Sequence, residues 1–144
     1  MMYNHPLGMN LYNLNNSKKN IATIGKAIVF EGEKSPLLYQ SYFGLDSDIT
    51  VACCGSSISN TQMQLLIEAG AREVIIAFDR QFKELGDKEF KHLKKNLMSL
   101  YNKYKNYVMI SFIFDKNMIT DYKSSPIDEG KDKFLQLFKE RIIL

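Results

Sequence analysis

Four short apolar runs recur along the chain: KAIVFE at 26–31, ITVACC at 49–54, EVIIAFD at 73–79 and NYVMISFIF at 106–114. They are continuous rather than alternating, the pattern expected of strands buried on both faces. Such strands, separated by helical stretches, become neighbours in a parallel sheet, because parallel pairs need crossovers long enough to hold a helix. The expected architecture is a three-layer α/β/α domain around a mostly parallel, four-stranded central sheet.

The stretches between the runs supply the helices. Residues 11–24 have modest helical character, with Asn15 or Asn16 as N-cap and Gly25 as the stop. Ser35 followed by Pro36 reads as an N-cap with proline in the first turn, and that helix stops at Gly44. A third helix covers TQMQLLIEAG and ends at Gly70. Phe90, Leu93, Leu97, Leu100, Tyr101 and Tyr104 recur at steps of three and four, marking one face of a long amphipathic helix. A last helix is expected over about residues 128–142, with Phe134, Leu137, Phe138 and Ile142 inward.

With 144 residues there is material for one core and little for a second. No apolar run approaches the roughly 18–20 residues that span a bilayer, and MMYNHPLGMN lacks a secretory pattern, so the expectation is a cytoplasmic protein without a membrane partner. Cys53 and Cys54 are adjacent and poorly placed to bridge each other, and with His5 and His92 as the only histidines no standard four-ligand zinc site can form. Gly25-Lys26 lacks the rest of a P-loop and no GxGxxG occurs, which disfavours a nucleoside triphosphatase or a dinucleotide enzyme. The net charge of +3 permits a nucleic-acid partner without requiring one. Residues 83–105 carry seven Lys against three acids, which suits either a solvated helix face or a phosphate contact.

In open sheets of this kind, ligands bind outside the carboxyl ends of the strands. The loops opening at Glu31, Gly55, Asp79 and Asp115 should therefore share one edge. Carboxylates crowded there raise one another's pKa unless a cation neutralises them, and an all-oxygen set suits Mg²⁺ or Mn²⁺. The candidates are Glu31, Asp79 and one or more of Asp115, Asp121 and Asp128. Acids at strand ends also serve as turn and capping residues. The turn Gly55-Ser56-Ser57 could cradle a phosphate at a helix start, or could be a tight turn with Ser57 or Ser59 as N-cap. Cys54 has no histidine nearby in sequence and reads as a buried strand cysteine rather than a nucleophile.

These residues carry a resemblance. The segment LYNLNNSKKNIATIGKAIVFEGEKSPLL is similar to the stretch of bacterial replicative primases that leads into their Toprim domain, with paired lysines and a strand ending Glu31-Gly32. VACCGSSIS resembles the family's strand and Gly-Ser/Thr turn, EVIIAFD its strand ending in aspartate, and EGKDKFLQLFKER its last helix. The closest flavour is a phage or prophage primase-like protein. The resemblance implies a lead-in segment over 1–25 and a Toprim domain over 26–144.

It further implies Glu31 and Asp79 as catalytic acids and as ligands of Mg²⁺ or Mn²⁺, completed by Asp121 or Asp128, with Asp115 behind them. Gly32, Lys34, Gly55, Ser56, Ser57 and Gln81 are the implied phosphate or nucleotide contacts. The family's Asp-x-Asp motif is here Asp79-Arg80-Gln81, so one carboxylate is replaced by a neutral amide, which weakens the expected metal site. Asp128 has a structural alternative, since Ser125-x-x-Asp128 resembles a capping box at the last helix. The implied chemistry is metal-dependent nucleotidyl transfer for RNA primer synthesis. The implied partners are single-stranded DNA, nucleoside triphosphates, and a replicative helicase or other replication proteins. The resemblance starts downstream of a primase's zinc-binding domain and basic subdomain, so the expectation is divalent-cation binding with little primer synthesis by this chain alone. Two rivals share the motifs: a Toprim nuclease or topoisomerase-type phosphodiester enzyme, and a non-catalytic binding module with a degenerate metal site.

Overall fold

The computed structural model describes residues 10–55 and 57–144. In chain order the elements are α1 (Leu14–Ile24), β1 (Lys26–Phe30), α2 (Lys34–Phe43), a 3₁₀ turn at Leu45–Ser47, β2 (Thr50–Ala52), α3 (Asn60–Glu68) and β3 (Glu73–Ala77). Then follow α4 (Lys88–Tyr104), β4 (Met109–Phe112), α5 (Lys131–Lys139) and β5 (Ile142–Ile143). The sheet order is β2-β1-β3-β4-β5. The first three pairings are parallel, and β5 runs antiparallel to β4.

The central strands are buried as their composition demands: Ala27, Ile28, Val29 and Phe30 of β1 and Val74, Ile75, Ile76 and Ala77 of β3 are all nearly inaccessible. Two helical layers cover them. In one, Tyr39 and Phe43 of α2 meet Phe134 of α5, whose ring also contacts Phe30. In the other, the Tyr104 hydroxyl of α4 donates to the Asn60 side chain of α3. The three-layer α/β architecture is the one the strand pattern predicts.

Gly25 connects α1 to β1 with φ +81, and its carbonyl accepts the N–H groups of Arg72 and Glu73. The left-handed φ favours glycine there; a Cβ would also lie 2.8 Å from the Arg72 guanidinium, a side-chain end that can move aside. This joint sets β1 and β3 side by side in register, Lys26 opposite Glu73 through Phe30 opposite Ala77.

Four expectations are corrected. The sheet has five strands rather than four, because the last helix ends at Lys139 and Ile142 pairs with Phe112 instead of facing the core from a helix. Its first turn also starts later, after Gly130 rather than at 128, so Ser125 and Asp128 do not cap it; the Asp128 carboxylate accepts the Ser125 N–H within a separate turn. The N-cap of α1 is Asn13, not Asn15 or Asn16. Asn13 adopts φ 73 and spends its side chain on the Asp48 carboxylate (2.7 Å) and the Thr50 carbonyl (2.9 Å), a tertiary anchor that no local pattern encodes. Finally, Ser35 and Pro36 lie inside α2, with Glu33 before it, and Ser35 donates to Ser125 instead of capping.

The lead-in is tied to the sheet. Tyr12 and Ala52 exchange backbone hydrogen bonds of 3.0 and 3.1 Å, an antiparallel bridge that covers the otherwise free edge of β2.

Candidate functional site

The carboxyl ends of β1 and β3 deliver the two acids that matter most. Glu31 follows Phe30 directly, and Asp79 follows β3 by two residues; the parallel register brings these ends level. Oε1 of Glu31 accepts the backbone N–H of Asp79 at 3.0 Å and the side-chain amide of Gln81 at 2.7 Å. Glu31, Asp79 and Gln81 line one side of an open groove of about 770 Å³. Lys88, Glu89 and His92 of α4, with Tyr122 and Lys123 of the loop after β4, complete its lining.

The electrostatics of the groove are strained. Burial, then the neighbouring Glu31 and Asp128 carboxylates, push Asp79 up to about 7. Burial raises Glu31 as well, against the lowering effect of the hydrogen bonds from Gln81 and Asp79. Two partly buried acids that repel each other and a third within electrostatic range are a set that a hard cation would relieve. Among the described residues no group of three or more His, Cys, Asp or Glu side chains is arranged to hold a metal ion together. Magnesium, however, is commonly held by one or two protein carboxylates with waters and phosphate oxygens making up the remainder. Glu31 and Asp79 fit that requirement, with Asp128 adding charge nearby.

The remaining candidates separate. Asp115 is buried and spent: its carboxylate accepts from the N–H groups of Ile119 and Thr120, both at 2.9 Å, and from the Thr120 hydroxyl at 2.6 Å. It shapes the loop after β4 and has a structural task. Asp121 and Asp128 are exposed, and neither lines the groove; of the two, only Asp128 acts on Asp79. Gly32 and Lys34 are exposed at the start of α2, outside the groove lining. Gly55 and Ser57 are likewise exposed away from it, and Ser56 lies outside the described residues, as does His5. The helix after that turn is closed by its own capping box, Ser59 accepting from the Gln62 N–H at 3.1 Å while the Gln62 side chain accepts from the Ser59 N–H at 3.0 Å. Cys53 is buried just past β2, where burial pushes its thiol up to about 11, whereas Cys54, expected as a buried strand cysteine, is half-buried beyond the end of β2 at φ 58, its thiol raised by burial and by the Glu33 carboxylate.

Sequence reasoning missed Arg80. Its guanidinium reaches the carbonyls of Phe82 (3.0 Å), Thr120 (2.5 Å) and Lys83 (3.0 Å). Its backbone N–H donates to Ser124, and its carbonyl accepts from Lys123 at 2.7 Å. Arg80 thus staples the loop after β3 to the loop after β4, fixing Tyr122 and Lys123 beside the acids. The only signal in the sequence was its position between Asp79 and Gln81. The groove-lining residues of α4 were legible as part of the lysine-rich stretch, but not as neighbours of Glu31.

No family model matches the chain. It is 34% identical, over 149 aligned positions and 99% of its own length, to the SPbeta prophage-derived uncharacterised protein YorJ of Bacillus subtilis, of which it spans 39%. Among solved structures it is similar to the E. coli primase catalytic core, with a TM-score of 0.68 and 20% identity, covering 100% of this chain and 43% of that one. It is also similar to the DnaG primase catalytic domain bound to single-stranded DNA, with a TM-score of 0.67 and 21% identity, covering 96% of this chain and 41% of that one. The chain therefore spans well under half the length of these relatives. The likeness shows the fold: this is the α/β fold of the bacterial primase catalytic core, as the Toprim resemblance predicts, in a chain related to a prophage protein.

Proposed function

We propose that this chain is a Toprim module that carries out metal-dependent nucleotidyl transfer, joining nucleotides as a primase does on single-stranded DNA. The observation that carries the reading is the pairing of Glu31 with Asp79 at the carboxyl edge of a parallel sheet. Both acids line an open groove, and burial, with the repulsion of Glu31 added to it, holds Asp79 near 7 where an isolated aspartate would be fully ionised. Glu31 and Asp79 would hold Mg²⁺ or Mn²⁺, with Asp128 contributing charge. When bound, the ion supplies neutralisation of phosphate oxygens and alignment of an attacking hydroxyl with its leaving group. The protein's own share is to hold the Glu31 carboxylate in place through the Asp79 N–H and the Gln81 amide. Single-stranded DNA and nucleoside triphosphates are the proposed substrates, and replication proteins the proposed partners.

A second reading has one observation in its favour. Gln81 meets Glu31 with an amide donor, which satisfies the carboxylate without a cation, as expected of a module that binds nucleic acid and has lost its catalysis. Calorimetric titration with Mg²⁺ and Mn²⁺ of the natural chain, Asp79→Asn and Gln81→Asp separates the two. Binding that is lost in Asp79→Asn and tightened in Gln81→Asp supports the enzyme. Binding that appears only in Gln81→Asp supports the module. Nucleotide incorporation on a single-stranded template, measured with and without added primase subdomains, then tests the activity itself.

A further inference from the structure

The acids account for one part of the groove and leave Tyr122 and Lys123 of its lining without a role, and Lys83, from outside the lining, reaches the same ring. Tyr122 is 36% exposed, and two ammonium groups lie near its ring, Lys83 at 5.3 Å and Lys123 at 5.5 Å from the centroid. Lys123 stands at φ 66, a left-handed conformation that costs a non-glycine residue free energy and persists only where the surroundings enforce it. Here the enforcement is visible: the Lys123 N–H donates to the Arg80 carbonyl, and the Arg80 N–H donates to Ser124. Arg80 lies between Asp79 and Gln81, so the strained residue and the aromatic ring before it are held in fixed register with the acids.

We propose that Tyr122 and Lys123, with Lys83, form a recognition wall for one unstacked nucleotide, the base stacking on the Tyr122 ring and the adjoining phosphate taken by the lysines. An exposed aromatic ring within a cationic rim is the arrangement that binds unpaired bases without sequence preference, since every base has a π-face and every nucleotide a phosphate. The lysine ammoniums already gather at the ring, and a phosphate arriving there gains two cations while the base replaces them on the face. The wall adjoins but does not include Glu31 and Asp79, so it needs no metal. It rests on the reading of the groove as a nucleotide site, and it is tested separately from the metal chemistry.

The test is fluorescence anisotropy of a short labelled oligothymidylate in EDTA, with thermal unfolding of each variant as a check on folding. Tyr122→Ala is expected to weaken binding about tenfold and Tyr122→Phe to retain it. Lys123→Gly relieves the backbone while removing the charge; it is expected to leave the melting temperature unchanged or raised and to reduce the salt slope by about 0.7. Tyr107, 75% exposed and outside the groove, serves as control: Tyr107→Ala is expected to bind as the natural chain does. Competition with unlabelled dTTP distinguishes the source of the nucleotide. Displacement at matching concentration assigns the wall to a free nucleotide, and resistance assigns it to a single strand; both outcomes support it. Equal binding by Tyr122→Ala and the natural chain, equal losses in Tyr122→Ala and Tyr107→Ala, or no oligonucleotide binding in EDTA would overturn it. Failure of Mg²⁺ to bind would leave this result standing, because the assay contains no metal.

Discussion

Gln81 donates its side-chain amide to the same oxygen of Glu31 that takes the Asp79 N–H, at 2.7 and 3.0 Å. Both donors fall on Oε1, so Oε2 is the Glu31 oxygen left to face a cation or solvent. The contact also explains how two acids can sit this close: a neutral donor offsets part of the desolvation of Glu31 that a third carboxylate would worsen. Gln81→Asp should therefore destabilise the chain in EDTA by about 1–2 kcal/mol and be rescued by Mg²⁺. Thermal unfolding with and without the ion reads this directly; equal melting temperatures for the two proteins in EDTA would show the hydrogen bond to be idle.

Asp79 sets the sign of a pH effect. Its folded pKa, about 7, lies above the ordinary value of 3.8, so the folded state holds a proton that the unfolded chain releases earlier. The stability this contributes is fully present below about pH 4 and is lost as the pH rises through 7. Asp79→Asn should flatten that decline. Saturating Mg²⁺ should do the same in the natural chain, since the ion displaces the proton and binds better at pH 8 than at pH 6. Denaturant midpoints across this range give the slope, and a decline unchanged in Asp79→Asn would assign it to another group.

Asp115 should behave as part of the frame. Replacing it with Ala leaves the Ile119 and Thr120 N–H groups and the Thr120 hydroxyl without their acceptor in a buried loop. The expected cost is about 3 kcal/mol, with Mg²⁺ affinity changed little once the folded fraction is allowed for. A selective loss of metal binding at unchanged stability would return Asp115 to the ligand set.

These contrasts mark what the sequence could and could not reveal. The buried runs around Val29 and Ile75 made the parallel sheet legible, since short continuous apolar segments alternating with helical stretches are what strands buried on both faces require. Glu31 and Asp79 were legible as strand-end acids because parallel register makes strand ends coincide. Asp115 stood among the ligand candidates because the same position serves a loop anchor equally well, and the Thr120 contacts that give it a structural task leave no mark in the sequence. Asn13, Arg80 and Lys123 act through distant partners from 27 to 44 residues away, and such pairings leave no local period to read. The extent of α5 failed for a related reason. Ile142 continues the helical spacing of Phe134 and Phe138, yet α5 ends at Lys139, Ile142 pairs with β4, and Arg141 between them contacts a distant strand.

That contact yields the last expectation. Arg141 donates to the Glu73 carboxylate at 2.9 Å, and Ser111 donates to the same oxygen at 2.6 Å. Burial pushes Glu73 up, but these hydrogen bonds and the adjacent positive charges outweigh it and hold the acid below its ordinary value. A lowered folded pKa contributes stability above the unfolded value of about 4.5 and loses it as the pH falls through the folded one, opposite in sign to Asp79. Arg141→Met strands a buried carboxylate beside Ser111 and releases the turn into β5, for an expected loss of about 2–3 kcal/mol at pH 7. The loss should shrink towards pH 3, where Glu73 is protonated in the variant and its charge no longer needs a partner. The double variant Glu73→Gln/Arg141→Met should recover part of the stability at pH 7. Urea midpoints of the four proteins at the two pH values form a closed cycle, and a coupling that did not depend on pH would show that Arg141 acts through packing on the Phe138 ring, 4.6 Å away, rather than through its charge.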